Sequence, residues 1–283
     1  MAHKIWFITG ASRGFGRIWA EAALERGDKV IATARNLSSL SDLTDLYGDA
    51  VLPLELDVTD VAGVRRAVAA AHQHFGRLDI VLNNAGYALV GAIEELNEKD
   101  LQAEFDTNVF GMLRVIQAAL PYLREQGSGH IVSVSSVAGV VAHPIAGAYH
   151  MSKWAVEALH EALAKEIEGF GVKVTLIEPG AYATDFASAT SLKISDGLDV
   201  YAELRQQAFA AGARMAFGDP KATVTAVLSI VDAAEPPLRF FLGTEGLPVA
   251  KAAYAARLAE WEAWEDLSNA AQGGETERRI ASL

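Results

Sequence analysis

Short apolar runs that alternate with stretches of helical periodicity constrain this chain more than anything else in it. KIWFIT, KVIATA, VLPLELDV, DIVLNNAG, HIVSVSS and VKVTLIEPG read as strands, and 17–26, 61–75, 101–123 and 155–168 carry apolar residues at helical spacing. Strands that are apolar on both faces and separated by helices predict a parallel sheet covered on each side. The expectation is one α/β domain with a doubly wound sheet. PPLRFFLG, late in the chain, reads as one further strand.

Composition narrows the class. At 283 residues with 51% hydrophobic side chains the chain can bury a large core. A formal charge of −12 and no concentrated basic stretch argue against a nucleic-acid partner. With no cysteine there is no disulfide, thiolate nucleophile or cysteine metal ligand. The amino terminus runs into a strand pattern without a cleavage site, and the most apolar stretch, 131–148, is broken by serines, Gly139, His143 and Pro144. Neither a secretory leader nor a membrane span is expected, so the chain reads as cytoplasmic. The seven histidines have no metal-ligand spacing. His143 and His150 lie close in sequence to a candidate catalytic segment and are open candidates for substrate contact.

The first strand ends in Thr9-Gly10-Ala11-Ser12-Arg13-Gly14-Phe15-Gly16, directly before a helix. Glycines there let the backbone turn tightly and approach a pyrophosphate, whose charge the amides and dipole of the helix start can meet. The spacing G-x-x-x-G-x-G differs from the G-x-G-x-x-G of many dinucleotide sites, and a plain strand-helix turn would use the same residues. At the end of the second strand, where an acidic residue would hold the ribose hydroxyls of NAD, the chain has Ala34 and then Arg35. Arg13 and Arg35 together suit a 2′-phosphate, so NADP(H) is preferred over NAD(H).

Tyr149 and Lys153 stand four apart in YHMSK, a spacing that puts phenol and ammonium on one helix face. A free tyrosine, with a pKa of about 10, is a poor base at neutral pH. A cation about 4 Å away at an effective dielectric of about 20 would favour the phenolate by about 4 kcal/mol. The expectation is a tyrosine lowered toward neutrality for acid-base work. An amphipathic surface pair would show the same spacing.

The glycine turn, Asp57 in LDVTD, Asn83-Asn84-Ala85-Gly86, Asn108 in TNVFG, Ser136 in SVSS, the Tyr149/Lys153 pair and Pro179-Gly180 with Thr184 follow one another in a recognisable order. This set resembles the short-chain dehydrogenases/reductases over residues 4–185. It is most similar to the compact single-domain branch with its Rossmann-type fold, and to the 17β-hydroxysteroid-dehydrogenase-like group within it. The resemblance implies a catalytic tetrad of Asn108, Ser136, Tyr149 and Lys153. Tyr149 would move the proton, Ser136 would hold the substrate oxygen, Lys153 would grip the nicotinamide ribose, and Asn108 would position a water leading to solvent. Among Ser133, Ser135 and Ser136, the pleat sends Ser136 to the opposite face from the other two.

The resemblance also implies a cofactor site of Gly10, Ser12, Arg13, Gly14, Phe15, Gly16, Arg35, Asp57, Val58, Asn83, Ala85, Gly86, Tyr149, Lys153, Pro179, Gly180 and Thr184. Asp57 and the run from Asn83 to Gly86 are also ordinary cap and turn chemistry. Apolar segments at Tyr87–Val90, Val140-Val141, Tyr182 and Phe186 point to a hydrophobic ketone, aldehyde or alcohol as substrate. A lid is expected at about 186–218, a flexible tail at 273–283, and a homodimer or homotetramer by resemblance. The aromatics of 249–269 are expected to pack on the same domain or on a sister subunit. A non-catalytic NADP-binding regulator and an epimerase or dehydratase of the extended branch are the rival readings.

Overall fold

Seven parallel strands form the centre of the computed structural model, which describes residues 3–188 and 190–273. In chain order the elements begin β1 (Ile5–Ile8), α1 (Gly14–Glu25), β2 (Lys29–Ala34), α2 (Ser41–Tyr47), β3 (Val51–Glu55) and α3 (Val61–Phe75). They continue β4 (Ile80–Asn83), β5 (Ala88–Val90), α4 (Glu98–Phe105), a π-helical turn (Asp106–Gly111), α5 (Met112–Gln126), β6 (Gly129–Val134) and α6 (Gly147–Glu166). After β7 (Val172–Pro179) come β8 (Leu192–Ile194), α7 (Ala202–Ala213), α8 (Val224–Asp232), β9 (Arg239–Leu242), α9 (Gly246–Ala263) and α10 (Glu265–Ala271).

The sheet runs β3-β2-β1-β4-β6-β7-β9, every pairing parallel. Winding proceeds outward in both directions from β1 and β4, so a crevice opens where their carboxyl ends part, the usual ligand position in such sheets. The pleat of β1 explains why both faces are apolar. Ile5 and Phe7 enter a core with Val68 of α3, Val115 of α5 and Val156 of α6. Trp6 and Ile8 enter the opposite core with Trp19 of α1 and Val227 of α8. Each such side chain contributes roughly 1.5–3 kcal/mol by leaving water, which fixes β1 as the axis of the domain. The indole of Trp19 also donates to the Thr223 hydroxyl at 2.8 Å, so the burial leaves no orphaned donor.

Two expected helices differ in outline. The 101–123 periodicity spans α4, a π turn and α5, because Asn97 caps the start by accepting from the Lys99 amide and the extra residue of the turn re-aims Asn108. The 155–168 helix starts earlier, at Gly147, and so carries Tyr149 and Lys153. The expected lid region holds β8, which pairs in parallel with β5 as a separate small sheet, and α7. The 249–269 segment is helical, yet Trp261 and Trp264 are each 64% exposed and so do not pack on this domain. Of the expected tail, 274–283 lies outside the described residues. No helix among the described residues is long and apolar enough to cross a membrane.

Candidate active site

A cavity of about 1110 Å³ occupies the crevice at the carboxyl ends of the strands. At one end it meets the β1-α1 turn. Gly10 and Gly14 sit at φ +68° and +56°, which side-chain-bearing residues rarely adopt. Gly16 plays a different part: a Cβ there would lie 2.4 Å from the Gly10 carbonyl oxygen, so glycine lets α1 close on the turn. The amides at the start of α1 are met by no side-chain cap, and no acidic residue occupies its first turn. Free amides and an uncompensated positive dipole end at a cavity wall fit a phosphate group.

The turn is braced by the end of β4. The Thr9 hydroxyl accepts from the Asn84 and Ala85 amides at 2.9 and 3.1 Å, and the Asn84 side chain donates to the Thr9 and Gly10 carbonyls at 3.0 Å each. Ser12, Arg13, Phe15, Arg35, Asp57, Val58, Ala85, Gly86, Pro179, Gly180 and Thr184 also line the cavity. Asn83 does not: it points into the core, where its amide donates to the Ser133 hydroxyl at 3.1 Å. The last residue of the strand keeps the buried pleat, and its neighbour Asn84 reaches the wall instead. Gly16 is likewise behind the wall.

The two arginines are apart in their bonding. Arg13 donates to the Thr190 hydroxyl and, at 2.7 Å, to the Ser191 hydroxyl, tying the glycine turn to the segment before β8. Arg35 is exposed at the cavity edge and makes no hydrogen bond or ion pair among the described residues. Asp57 accepts from the Thr59 amide and hydroxyl at 2.9 and 2.8 Å, which is turn chemistry, while its residue still faces the cavity.

Ser136, Tyr149 and Lys153 meet at the other end. Ser136 follows β6, its hydroxyl accepting from the Ala138 amide at 3.1 Å and lying 3.5 Å from the Pro179 carbonyl. Lys153 donates to the Val134 carbonyl at 2.9 Å, with its nitrogen 5.6 Å from the centre of the Tyr149 ring. Ser133 is bonded to His160 at 2.7 Å and the Ser135 hydroxyl is buried beside Gly139, whereas the Ser136 hydroxyl reaches the Tyr149 phenol.

Asn108 stands behind this group, fully buried and outside the cavity wall. Its oxygen accepts from the Tyr87 amide at 3.0 Å, and its nitrogen donates to the Tyr87 carbonyl at 2.8 Å and the Ser152 hydroxyl at 3.1 Å. One turn earlier lies Glu104, which the sequence offers no signal to single out. Its side chain is fully buried and accepts from the Leu89 amide at 3.3 Å and from Asn108 at 3.4 Å.

The electrostatics reverse one expectation. Tyr149 is pushed above the ordinary phenol range, first by desolvation, with Glu104 adding to it and the Ser136 hydroxyl opposing. Lys153 is pushed down to about 8 by burial, while Glu104 and Glu157 pull it back up. In this dry site desolvation outweighs the help of a cation, and the Lys153 nitrogen, bonded to the Val134 carbonyl, stands 5.6 Å from the centre of the phenol ring. The resting tyrosine is therefore a protonated donor.

His150 is used up: Nε2 accepts from the His143 amide at 2.9 Å and Nδ1 donates to the Ala138 carbonyl at 2.8 Å. Neither histidine lines the cavity, and neither do Val140 and Val141, which pack on Ala250 of α9. Tyr87, Tyr182, Phe186, Leu192 and Phe217 form the apolar part of the wall.

Comparison with known proteins shows the family. The family described as short chain dehydrogenase matches residues 4–194. The chain belongs to that family. Oxidoreductase BOA17 of Botryotinia fuckeliana is 42% identical over 270 residues, covering 94% of this chain and 98% of that protein. A 3-ketodihydrosphingosine reductase of Bacteroides thetaiotaomicron is 36% identical over 246 residues, covering 86% and 89%. The crystal structure of a short-chain dehydrogenase from Streptomyces avermitilis superposes with a TM-score of 0.88 at 37% identity, covering 95% and 98%. A short chain dehydrogenase from Burkholderia cenocepacia, in complex with NADP, gives 0.74 at 27% identity, covering 92% and 96%. As a short-chain dehydrogenase/reductase the protein is an oxidoreductase, and the seven-stranded single-domain sheet is that of its family.

Proposed function

We propose that this short-chain dehydrogenase interconverts a hydrophobic ketone or aldehyde and the corresponding alcohol with NADP(H). The observation that carries the reading is one cavity joining a glycine turn with free helix amides to the Ser136, Tyr149 and Lys153 side chains. When bound, the reduced nicotinamide supplies a hydride to the carbonyl carbon. The Ser136 hydroxyl, held to Pro179 by only a long contact, turns to donate to the substrate oxygen and stabilises the charge developing there. Tyr149 gives its proton to that oxygen, and in oxidation it receives the proton back. Lys153, anchored by Val134, holds positive charge beneath the phenol and faces the ribose position. Asn108 locks the Tyr87 loop and α6 together at the rear.

The NADP(H) preference rests on Arg35, at the cavity edge with no bonding partner among the described residues, and on Arg13, which lines the same cavity. Tyr182, Phe186 and Phe217 support an apolar substrate, and a lid over 186–218 fits the Arg13 tie to Thr190 and Ser191. Exposed Phe110, Met151 and Trp154 on α5's approach and α6 support a homodimer or homotetramer. A cytoplasmic site fits the cysteine-free composition. The test is a panel of ketones, aldehydes and alcohols followed by nicotinamide absorbance with each cofactor. Turnover of apolar carbonyls with NADPH, at higher kcat/KM than with NADH, is expected; a preference for NADH overturns the cofactor assignment, and no turnover across the panel overturns the activity.

A further inference from the structure

Glu104 is an unusual group to keep behind a hydride-transfer site. It lies on α4, one turn before Asn108, with no exposure to solvent. Burying a carboxylate is costly unless its oxygens are bonded or a cation's field offsets the loss of water. Only one oxygen is bonded here. Oε1 accepts from the Leu89 amide of β5 and from the Asn108 side chain, and Oε2 makes no hydrogen bond at all. A residue kept for packing alone would be better neutral.

The groups around it say what else it acts on. It bonds Asn108, which in turn bonds Ser152 beside Lys153 on α6, and a Cβ on Gly86 would lie 3.0 Å from the Asn108 oxygen and 4.0 Å from the Lys153 nitrogen, so the carboxylate is held close to that ammonium. Its charge is felt at Lys153, Tyr149 and Tyr87, and from β5 a backbone amide bonds it. Among the described residues Lys153 is the cation whose field reaches it, and Glu157 is the other acid acting on that lysine. Burial pushes the Glu104 carboxyl up to about 7, against the opposing Leu89 amide and Lys153. When ionised, it opposes proton loss from Lys153 and from Tyr149.

We propose that Glu104 is a positioning residue of the reaction, whose buried carboxylate holds the proton on Lys153 and on Tyr149 while its bonded oxygen fixes the Asn108 amide. The site is thereby kept in its proton-donating form as the pH rises above neutrality, which favours carbonyl reduction. This rests on the functional reading above, and the two are separated by a measurement that needs no turnover.

The variant is Glu104→Gln, whose amide oxygen can still accept from Leu89 and Asn108, so that the charge alone is removed. The Lys153 amine is titrated by NMR on lysine-labelled protein without cofactor, its signal identified by its absence in Lys153→Met. In Glu104→Gln the Lys153 titration is expected to move to lower pH by about one unit. The alkaline limb of kcat for NADPH-driven reduction should move the same way, and the two profiles should coincide on the acid side, where Glu104 is neutral. A Lys153 titration unchanged in Glu104→Gln overturns the proposal, as does an unchanged alkaline limb. Loss of activity confined to Glu104→Leu, with Glu104→Gln behaving as wild type, reduces Glu104 to a hydrogen-bonding part of the fold and equally overturns it. If no carbonyl is turned over but the lysine shifts, the electrostatic role stands and the functional reading fails.

Discussion

The two ends of the cavity are made of different material. The end at the β1-α1 turn is backbone: glycines at positive φ, free helix amides, and carbonyls tied by Asn84. The end at Tyr149 is side chains desolvated against one another, with Lys153 lowered, Tyr149 raised, and Glu104 and Glu157 opposing the fall of Lys153. Amide dipoles hold an anion at any ordinary pH, because they do not titrate. A desolvated phenol and ammonium hold their protons only through a balance of burial and field. Binding at the first end should thus be indifferent to pH, and chemistry at the second should not.

The largest break between the ends should come from Tyr149→Phe. Removing the donor is expected to lower kcat by about 10²–10⁴-fold while NADPH binding, followed by nucleotide fluorescence, stays nearly unchanged. A comparable fall in affinity would mean that the two ends are not separable. Gly16→Ala tests the opposite end. Its Cβ would collide with the Gly10 carbonyl, so α1 must shift; a stability loss of about 1–3 kcal/mol in thermal or urea unfolding is expected, together with weaker NADPH binding. Unchanged affinity would show that the turn need not be this close.

A smaller effect separates the cavity from the core beneath it. Glu178 of β7 is fully buried, with neither oxygen hydrogen-bonded, and burial followed by the nearby Glu157 pushes its carboxyl above the usual range while Arg239 opposes. The folded molecule therefore keeps a proton that the unfolded chain releases above about pH 4.3. That stabilisation is fully present at low pH and is lost as pH rises through the folded pKa. Glu178→Gln, neutral throughout, should flatten the fall of Tm between mildly acidic and mildly alkaline solution, with NADPH affinity unaffected. A Tm profile parallel to wild type would place no titrating proton there.

The backbone end was legible in the sequence because its requirements are local. Gly10 and Gly14 are needed for their own φ values, and Arg35 replaces an acid at a recognisable place after β2. The candidate catalytic groups were legible in part for the same reason, since Tyr149 and Lys153 share a helix face and Ser136 follows a strand. Which asparagine of the Asn83-Asn84 pair reaches the cavity was not, because one residue of pleat sends it to the core or to the wall. The tie from Arg13 to Thr190 and Ser191 was not legible either, because its hydrogen bonds span 177 and 178 residues, a contact with no local signature.

The alternation of strands and helices, the glycine turn and the order of the motifs thus determined the doubly wound sheet, the family and the Ser136, Tyr149 and Lys153 groups that share one cavity. Tertiary structure alone decided the state of those groups. A tyrosine four residues from a lysine implies a lowered phenol in water, but burial raises it, and Glu104 acquires its significance only because α4, β5 and α6 close over it. Residue spacing is written along the chain, whereas dielectric surroundings depend on everything packed around a side chain, and desolvation is the larger effect in this site.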